Sequence, residues 1–410
     1  MHPHKHTFLA AVSAAAALHG ASASAQSCDD ATMFPNRVVI SGSTAIRPLV
    51  RRVGAILAGA TGSDRITIVY NTTRGSCSGV TALNGSSTAG PQAATGTAEV
   101  YNGLNPDSLP STIPTCTMPG AGLPVDLALS DVYATECAGA ITTNLRDTFA
   151  TVLPFEFIGP QLNMDEAGID AREAYEIYGF GASTAAVTPW IMDNLVFQRS
   201  SSSGTQITIA RAIRVPEGRF QTPTANGLAS GSDMISHVAA TMTGPGLGFA
   251  GTDSTNAVRG TQLRGLAYRH WDQNDFYYPD STAASFDKRN VRDGHYPVWG
   301  YEHALVQTSA AGAPLNATAA RVADLLGGVT PLPGGTDITR VYIRSYLVPL
   351  CAMQVSRTRD GGDFSVAAPA DDCTRLFECT YPGATATCTT CTGDSACAGG
   401  VCRRGVCEAH

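Results

Sequence analysis

Three turns of this 410-residue chain carry hydroxyl and glycine residues where a predicted strand ends and a helix begins. They are Gly42-Ser43-Thr44, Gly75-Ser76 and Ser203-Gly204-Thr205. Backbone N–H groups at a helix start are free and partly positive, glycine lets a ligand approach closely, and hydroxyl groups add further donors. The three turns together therefore predict a cage of hydrogen-bond donors for a tetrahedral oxyanion. For any single turn the simpler interpretation is an ordinary helix cap.

Two charged residues accompany these turns. Arg199 lies four residues before Ser203, and its planar guanidinium suits bidentate contact with two oxyanion oxygens. Asp131 follows a predicted strand at 125–129, and one interpretation is that it caps the helix that follows it.

The elements that must position these residues follow an alternating order. Residues 37–41 and 66–70 predict buried strands, and between them apolar residues recur at three- and four-residue spacing from Ile46 to Leu57, which predicts a helix. The order strand, short polar turn, helix, strand is typical of parallel α/β sheets, where ligands bind outside the carboxyl ends of the strands. We therefore expect the turns to share one edge of a sheet.

Composition limits the class of protein. The chain has 27 basic and 34 acidic residues, a formal net charge of −7, 43% hydrophobic residues and only 15% charged residues. Such a composition describes a globular protein, and it argues against a disordered chain or a nucleic-acid-coating role, either of which needs more charge. The length suffices for two lobes with sizeable cores and additional segments.

The first 25 residues predict export. A basic start, His4-Lys5-His6, precedes the apolar run 8–18, and Ala23-Ser24-Ala25 is typical of a signal-peptide cleavage site. No later segment approaches the ~20 continuous apolar residues that a membrane-spanning helix needs. We therefore expect a periplasmic or extracellular protein. A lipid anchor at Cys28 is the less favoured alternative, because the preceding residues lack the usual leucine.

The twelve cysteines of an exported chain predict disulfides before metal ligands. Seven of them crowd the segment 371–410, which has almost no large apolar residues and must be held by crosslinks. Because five cysteines remain in the body, complete pairing needs a bridge between body and tail, and Cys351 to Cys373 is the shortest in sequence. Cys116 is expected to pair with Cys77 or Cys137. A zinc site that includes the Cys-x-x-Cys motif at 388–391 is the less favoured alternative.

Four motifs resemble, in order, the phosphate-binding proteins of bacterial ABC-type phosphate uptake. They are Ile40-Ser41-Gly42-Ser43-Thr44 with Pro48-Leu49, Gly75-Ser76-Cys77-Ser78-Gly79-Val80, Asp126-Leu127-Ala128-Leu129-Ser130-Asp131, and Arg199-x-x-x-Ser203-Gly204-Thr205. The resemblance extends over about residues 36–355. It implies a two-lobed α/β fold of the type II periplasmic-binding-protein class, with phosphate held between the lobes. The implied ligands are Thr44, the Ala45 amide, Ser76, Asp131, Arg199, Ser203, and the amides of Gly204 and Thr205. Because an ionised carboxylate can only accept hydrogen bonds, Asp131 in such a site would favour phosphate, which carries a proton near neutral pH, over sulfate, which carries none.

The resemblance and the sequence patterns together give an expected organisation of the chain and a set of partners. The expected segments are a signal peptide at 1–25, lobe 1 at 36–150 with an insertion at 84–124, lobe 2 at 151–265, the rest of lobe 1 at 266–356, a linker at 357–370 and a disulfide-rich module at 371–410. The expected partners are inorganic phosphate or a similar oxyanion such as sulfate or molybdate, an ABC permease, and a cell-surface partner of the tail. We expect a monomer with no enzyme activity, cofactor, metal or nucleic acid.

Three features depart from the family pattern: the insertion, a cysteine within the second turn, and the Cys-rich tail. Two alternative functions follow. The binding fold serves only as a scaffold and the tail attaches the protein to a surface, or Cys77 in Gly75-Ser76-Cys77-Ser78-Gly79 acts as the nucleophile of a hydrolase. The second is disfavoured, because an exported cysteine among eleven others is expected to be oxidised and no histidine and acid partners stand out.

Overall fold

The computed structural model describes residues 26–409 except 73–74, 86–92, 138, 140, 142, 163 and 242–243. The signal peptide predicted at 1–25 and part of the insertion predicted at 84–124 therefore lie outside the described residues. The helices are α1 Arg47–Gly59, α2 Ser76–Asn84, α3 Ala171–Phe180, α4 Ala182–Ala185, α5 Gly204–Ile213, α6 Gly231–Ala239, α7 Thr252–Thr255, α8 Arg289–Arg292, α9 Ala317–Leu326, α10 Ile338–Arg344 and α11 Thr374–Thr380. The strands are β1 Arg37–Gly42, β2 Thr67–Asn71, β3 Ala93–Ala94, β4 Thr97–Glu99, β5 Thr115–Thr117, β6 Leu123–Pro124, β7 Leu127–Ser130, β8 Asn144–Pro160, β9 Gly168–Asp170, β10 Gln198–Arg199, β11 Gly227–Leu228, β12 Gly248–Gly251, β13 Leu263–Gly265, β14 Ala267–Arg269, β15 Trp299–Thr308, β16 Val355–Ser356, β17 Ser365–Val366, β18 Val401–Arg403 and β19 Val406–Glu408.

The main sheet has nine strands in the order β12, β8, β15, β7, β1, β2, β4, β5, with β13 also paired to β8. β1 is parallel to both β2 and β7, so the carboxyl ends of these three strands meet at one edge. β15 is antiparallel to β7 and to β8, which places its start beside the end of β7. The predicted two-lobed α/β architecture is confirmed, with a parallel centre and an antiparallel flank.

The long strand β8 runs through both lobes. Its first part pairs with β15 in the lobe that contains β1, β2 and β7, and its last residues pair with β12 and β13 in the other lobe. Helices α1, α2 and α9 pack on the first group of strands, and α5 and α6 pack on the second. The lobe boundary predicted at 150/151 falls inside β8, so a continuous strand joins the lobes.

The local pattern around the first turn was predictable. Helix α1 begins with Pro48 at an early position, which the proline ring tolerates, and it buries Leu49, Val50, Val53 and Leu57 at three- and four-residue spacing. β10 is short: Gln198–Arg199 pair with β11, while Val196 forms an isolated bridge with Leu247. Residues 193–195 form a 3-10 turn whose Asp193 carboxylate accepts from the Ser183 amide and hydroxyl, and such local bonds compete with strand pairing.

All twelve cysteines are paired, so the predicted disulfide framework is confirmed. The bridges are Cys28–Cys116, Cys77–Cys137, Cys351–Cys373, Cys379–Cys388, Cys391–Cys402 and Cys397–Cys407. The body-to-tail link Cys351–Cys373 is confirmed. The expectation for Cys116 is wrong, because the Cys28 amide donates to the Thr117 carbonyl at 2.8 Å and this backbone pairing brings Cys28 to Cys116.

The C-terminal module docks on the body through more than its bridge. Leu376 and Phe377 of α11 and Val406 of β19 are buried in the same core cluster as the lobes. The Arg292 guanidinium lies 4.9 Å from the Phe377 ring centroid, and Glu408 accepts from two amides at the start of α11. Burial therefore supplements the crosslinks. Within the described part of the chain, every helix is too short or too polar to cross a bilayer.

Candidate functional site

The first turn leaves β1 through a glycine that no other residue could replace. Gly42 has φ +128°, and a Cβ there would lie 2.0 Å from the Leu129 carbonyl oxygen. The next residues turn inward: the Ser43 amide donates to Leu129, and the Ala45 amide donates to the Ser43 hydroxyl at 3.0 Å. Thr44, only 8% exposed, lies at the tip of this turn. The Ala45 amide was expected to donate to an anion. In the structure its acceptor is the Ser43 hydroxyl of the same turn.

The second turn contacts both lobes through Ser76, the first residue of α2. Its buried hydroxyl accepts from the Asp131 amide at 3.3 Å and from the Gly204 amide at 3.3 Å. The next amide, that of Cys77, donates across the cleft to the Ser202 carbonyl at 3.0 Å. One hydroxyl therefore connects the carboxyl end of β7 in one lobe with the start of α5 in the other.

Asp131 is buried just after the end of β7, next to Ser76 and the start of α5. Its Oδ2 accepts from the Thr205 hydroxyl at 3.3 Å, while its Oδ1 has no hydrogen-bond partner among the described residues. The alternative that Asp131 caps the next helix is wrong, because the 3-10 turn Ala134–Glu136 begins after Tyr133 and has no side-chain cap. Asp131 is thus available as an acceptor.

Arg199, at the end of β10, is 3% exposed and held by backbone carbonyls. Its Nε donates to Leu228 at 3.1 Å, and its Nη2 donates to Ala229 at 2.9 Å and reaches Thr44 of the other lobe at 3.5 Å. Burial lowers the pKa of Arg199 to about 10, and the Asp131 charge partly opposes that shift. The guanidinium is therefore still charged at neutral pH, and its plane is fixed.

The third turn contributes the start of α5. Ser203 precedes the helix, and its hydroxyl accepts from the Gln206 amide at 3.4 Å, so it acts as the cap that the simpler interpretation predicted. Gly204 has no room for a side chain, because a Cβ would lie 2.5 Å from the Ser76 hydroxyl and 2.8 Å from Asp131 Cβ. The start of α5 therefore lies directly against Ser76 and Asp131, with the Gly204 amide donating to the Ser76 hydroxyl and the Gln206 amide to the Ser203 hydroxyl.

The structure places all eight predicted site residues in one buried region where the lobes meet. They are Thr44, Ala45, Ser76, Asp131, Arg199, Ser203, Gly204 and Thr205. The grouping arises because three strand ends and two helix starts share this edge of the fold.

Three charged side chains of the same region were not predicted: Arg47, Asp253 and Glu302. Asp253 and Glu302 are 3% and 0% exposed. Burial raises the pKa of Asp253 to about 7, and burial together with the Asp131 charge raises the pKa of Glu302 well above its usual range. The Arg47 charge favours ionised Asp253. Arg47 lies outside the buried positions of α1, and neither Asp253 nor Glu302 belongs to a motif that could signal it.

The disulfides remove two alternatives. Cys77 is bonded to Cys137, so the second turn has no thiol for nucleophilic catalysis, and the hydrolase hypothesis is wrong. Cys388 and Cys391 are bonded to Cys379 and Cys402, so their spacing does not mark a zinc site.

No protein-family profile matches this chain, and no curated protein sequence matches it. Solved structures do. A substrate-binding protein assigned to phosphate ABC transport, with bound phosphate, from Clostridium perfringens is 15% identical, with 77% of this chain and 100% of that chain covered and a TM-score of 0.46. An ABC-type phosphate transport receptor from Vibrio cholerae is also 15% identical, with 76% and 99% covered and a TM-score of 0.44. A phosphate-binding protein from Stenotrophomonas maltophilia is 14% identical, with 77% and 90% covered and a TM-score of 0.44. A likeness this loose says nothing about the ligand of this chain.

Proposed function

We propose that this chain is an exported solute-binding protein that captures inorganic phosphate between its two lobes and delivers it to an ABC-type permease. The observation that carries the proposal is the convergence of donors from both lobes on one buried region. Hydroxyl groups of Thr44 and Ser76 come from one lobe, and Arg199 with the helix start at 204–205 comes from the other.

The chemistry of this donor set suits a tetrahedral oxyanion. A charged guanidinium and a helix start supply positive potential, and the hydroxyl groups supply donors without a second full charge. The buried acceptor Asp131 argues for an anion that carries a proton, since an unprotonated oxyanion would face its carboxylate without a hydrogen between them. Phosphate meets both requirements near neutral pH.

Export is proposed from the sequence pattern at 1–25 and from six disulfides that require an oxidising compartment. The chain is expected to act as a monomer without a cofactor.

Isothermal titration calorimetry of the phosphate-stripped protein tests the proposal. Phosphate and arsenate are expected to bind one to one, and sulfate and molybdate to bind far more weakly, because a site that accepts a hydrogen bond from its ligand rejects analogues without that proton by about 10⁴-fold. A folded chain with intact disulfides that binds none of the four anions would contradict the proposal. The scaffold alternative would then gain support, and it predicts retention at the cell surface that depends on residues 371–410.

A further inference from the structure

Glu302 is the acidic residue of this region with the least access to water, and the pairing of β15 with β7 brings it beside Asp131. In the antiparallel pair of β15 and β7, His303 lies opposite Ser130 and Ala304 opposite Leu129. β7 ends at Ser130, and a Cβ at Gly300, which shares a face of β15 with Glu302, would lie 2.2 Å from the Asp131 carbonyl oxygen, so Asp131 lies over that face. The side chain of Glu302 is 0% exposed.

Two ionised carboxylates in this position would leave three oxygens without a donor. Both Glu302 oxygens and Asp131 Oδ1 have no hydrogen-bond partner among the described residues. An ionised carboxylate has only acceptors, whereas a protonated one has an O–H to donate. One proton on Glu302 therefore converts the contact into a hydrogen bond to Asp131, and the two side chains lie within reach of such a bond.

The surroundings favour a proton on Glu302. One oxygen of Asp131 already accepts from the Thr205 hydroxyl at 3.3 Å, whereas neither oxygen of Glu302 has a donor among the described residues. Glu302 faces Asp131 and the buried Asp253, and both oppose its ionisation.

The remaining groups packed around Glu302 supply no compensating cation to it. Thr151 lies opposite it on β8, but its hydroxyl donates to the Val348 carbonyl at 2.7 Å. Tyr70 from β2 is neutral, because burial raises its pKa well above the usual value. Helix α2 has no charged residue, and the two charged residues of α9 are in ion pairs with residues 64 and 146. The positive charge of Arg47 acts on Asp253.

We propose that Glu302 is a positioning residue for specificity: in its protonated form it donates a hydrogen bond to Asp131, and this bond holds Asp131 as an oriented acceptor for the proton of the ligand. The inference rests on the proposed function. It adds that selection against sulfate depends on a pair of carboxyl groups that share one proton. It also adds that ionisation of Glu302 weakens phosphate binding as pH rises.

An experiment without ligand tests whether Glu302 carries a proton in the folded protein. The full chain with intact disulfides and its Glu302→Gln variant are unfolded in urea between pH 5 and 8. A carboxyl group that keeps its proton only when folded stabilises the fold at low pH, and this stability is lost as pH rises toward its folded pKa. The folding constant of the parent is therefore expected to fall relative to Glu302→Gln, by up to about tenfold per pH unit. A pH-independent ratio overturns the inference. Infrared spectroscopy gives the same answer without unfolding. At pH 7 the carbonyl band of protonated acids should be stronger in the parent than in the variant, because the contribution of Asp253, whose pKa is about 7, is common to both.

A binding experiment tests the role. Phosphate and sulfate are titrated into the parent, Glu302→Gln and Glu302→Leu. The glutamine amide can still donate to Asp131, so Glu302→Gln should keep the phosphate-to-sulfate ratio and lose the additional decline of phosphate affinity with pH. Glu302→Leu should lower the ratio by about tenfold or more, the value of one hydrogen bond to a charged group. Glu156→Gln is the matched control, because Glu156 is equally buried but contacts Thr255. It should leave the ratio unchanged.

The two possible failures are distinguishable. A parent chain that binds phosphate selectively, with Glu302→Leu showing the same ratio, overturns the role of Glu302 alone. A folded parent that binds neither anion overturns the proposed function, and with it the selective role of Glu302.

Discussion

The Arg199→Ala substitution removes the guanidinium that the carbonyl oxygens of Leu228 and Ala229 hold at the site. Two of its N–H groups are used by the carbonyl oxygens of Leu228 and Ala229, which leaves the rest of the five-donor fork for Thr44 and a ligand. A hydrogen bond to a charged group contributes about 1.5–3 kcal/mol, and the fork can supply one or two such bonds. The expected loss is about 2–4 kcal/mol of phosphate binding free energy, on the order of a hundredfold in Kd.

The assay is calorimetric titration of phosphate into the stripped variant, with near-UV circular dichroism to establish that the lobes remain folded. Arg199→Lys keeps the charge and loses the planar fork, so it should bind between the parent and Arg199→Ala. Ser203→Ala removes a neutral donor and should cost nearer to 1 kcal/mol. Arg219→Ala is the control, because Arg219 is an exposed cation of the same lobe and its effect is screened at 0.15 M salt.

A folded Arg199→Ala protein that binds phosphate as tightly as the parent would refute the reasoning. The same result would mean that the helix start and the hydroxyl groups suffice, or that the ligand lies elsewhere. Equal losses in Arg199→Ala and Arg219→Ala would point to a general effect of net charge rather than to a contact.

Three further outcomes are expected. Asp131→Asn should raise sulfate affinity relative to phosphate, because the amide can donate to an unprotonated oxygen, and parallel titration of both anions measures the ratio; an unchanged ratio would remove Asp131 from selection. Truncation after Ala370 with Cys351→Ser should keep phosphate affinity but lower Tm, because two buried apolar side chains of α11 contribute about 3–6 kcal/mol; failure of this protein to fold would make the tail part of the core. Asp253→Asn should abolish a loss of stability that the parent shows as pH rises. Burial raises the pKa of Asp253 from 3.8 to about 7, so the stability that the protonated group contributes is lost across that range, by up to about 4 kcal/mol. Urea denaturation at pH 4 and pH 8 checks this, and parallel curves for parent and variant would contradict it.

The parts of the fold and site that were predicted correctly are those whose pattern lies within a few neighbouring residues of the sequence. The β1–α1–β2 unit and helix α5 follow from apolar spacing, and Arg199 follows from its distance to the third turn. These features are short in sequence, so the chemistry of each is visible in a window of a few residues.

The unpredicted parts depend on pairings across long separations. Glu302 belongs to the site because β15 returns antiparallel beside β7, about 170 residues later in the chain, and a buried glutamate in an apolar run has no local signature. The Cys28–Cys116 bridge has the same origin, since its backbone pairing joins the start of the described chain to β5. The extent of β8 could not be predicted from local sequence either, because its two halves pair with strands of different lobes.

The cysteine in the second turn has a structural consequence at the site. Cys77 follows Ser76 at the start of α2, and its partner Cys137 lies six residues after Asp131. The bridge therefore ties the segment that carries the Ser76 hydroxyl to the segment that carries the Asp131 carboxylate, and the Asp131 amide already donates to that hydroxyl. A crosslink between two loops reduces the conformations they can adopt apart, so less ordering remains when a ligand engages both. In this protein, orientation of the acceptor is thus supported by a covalent bond on one side and by Glu302 on the other.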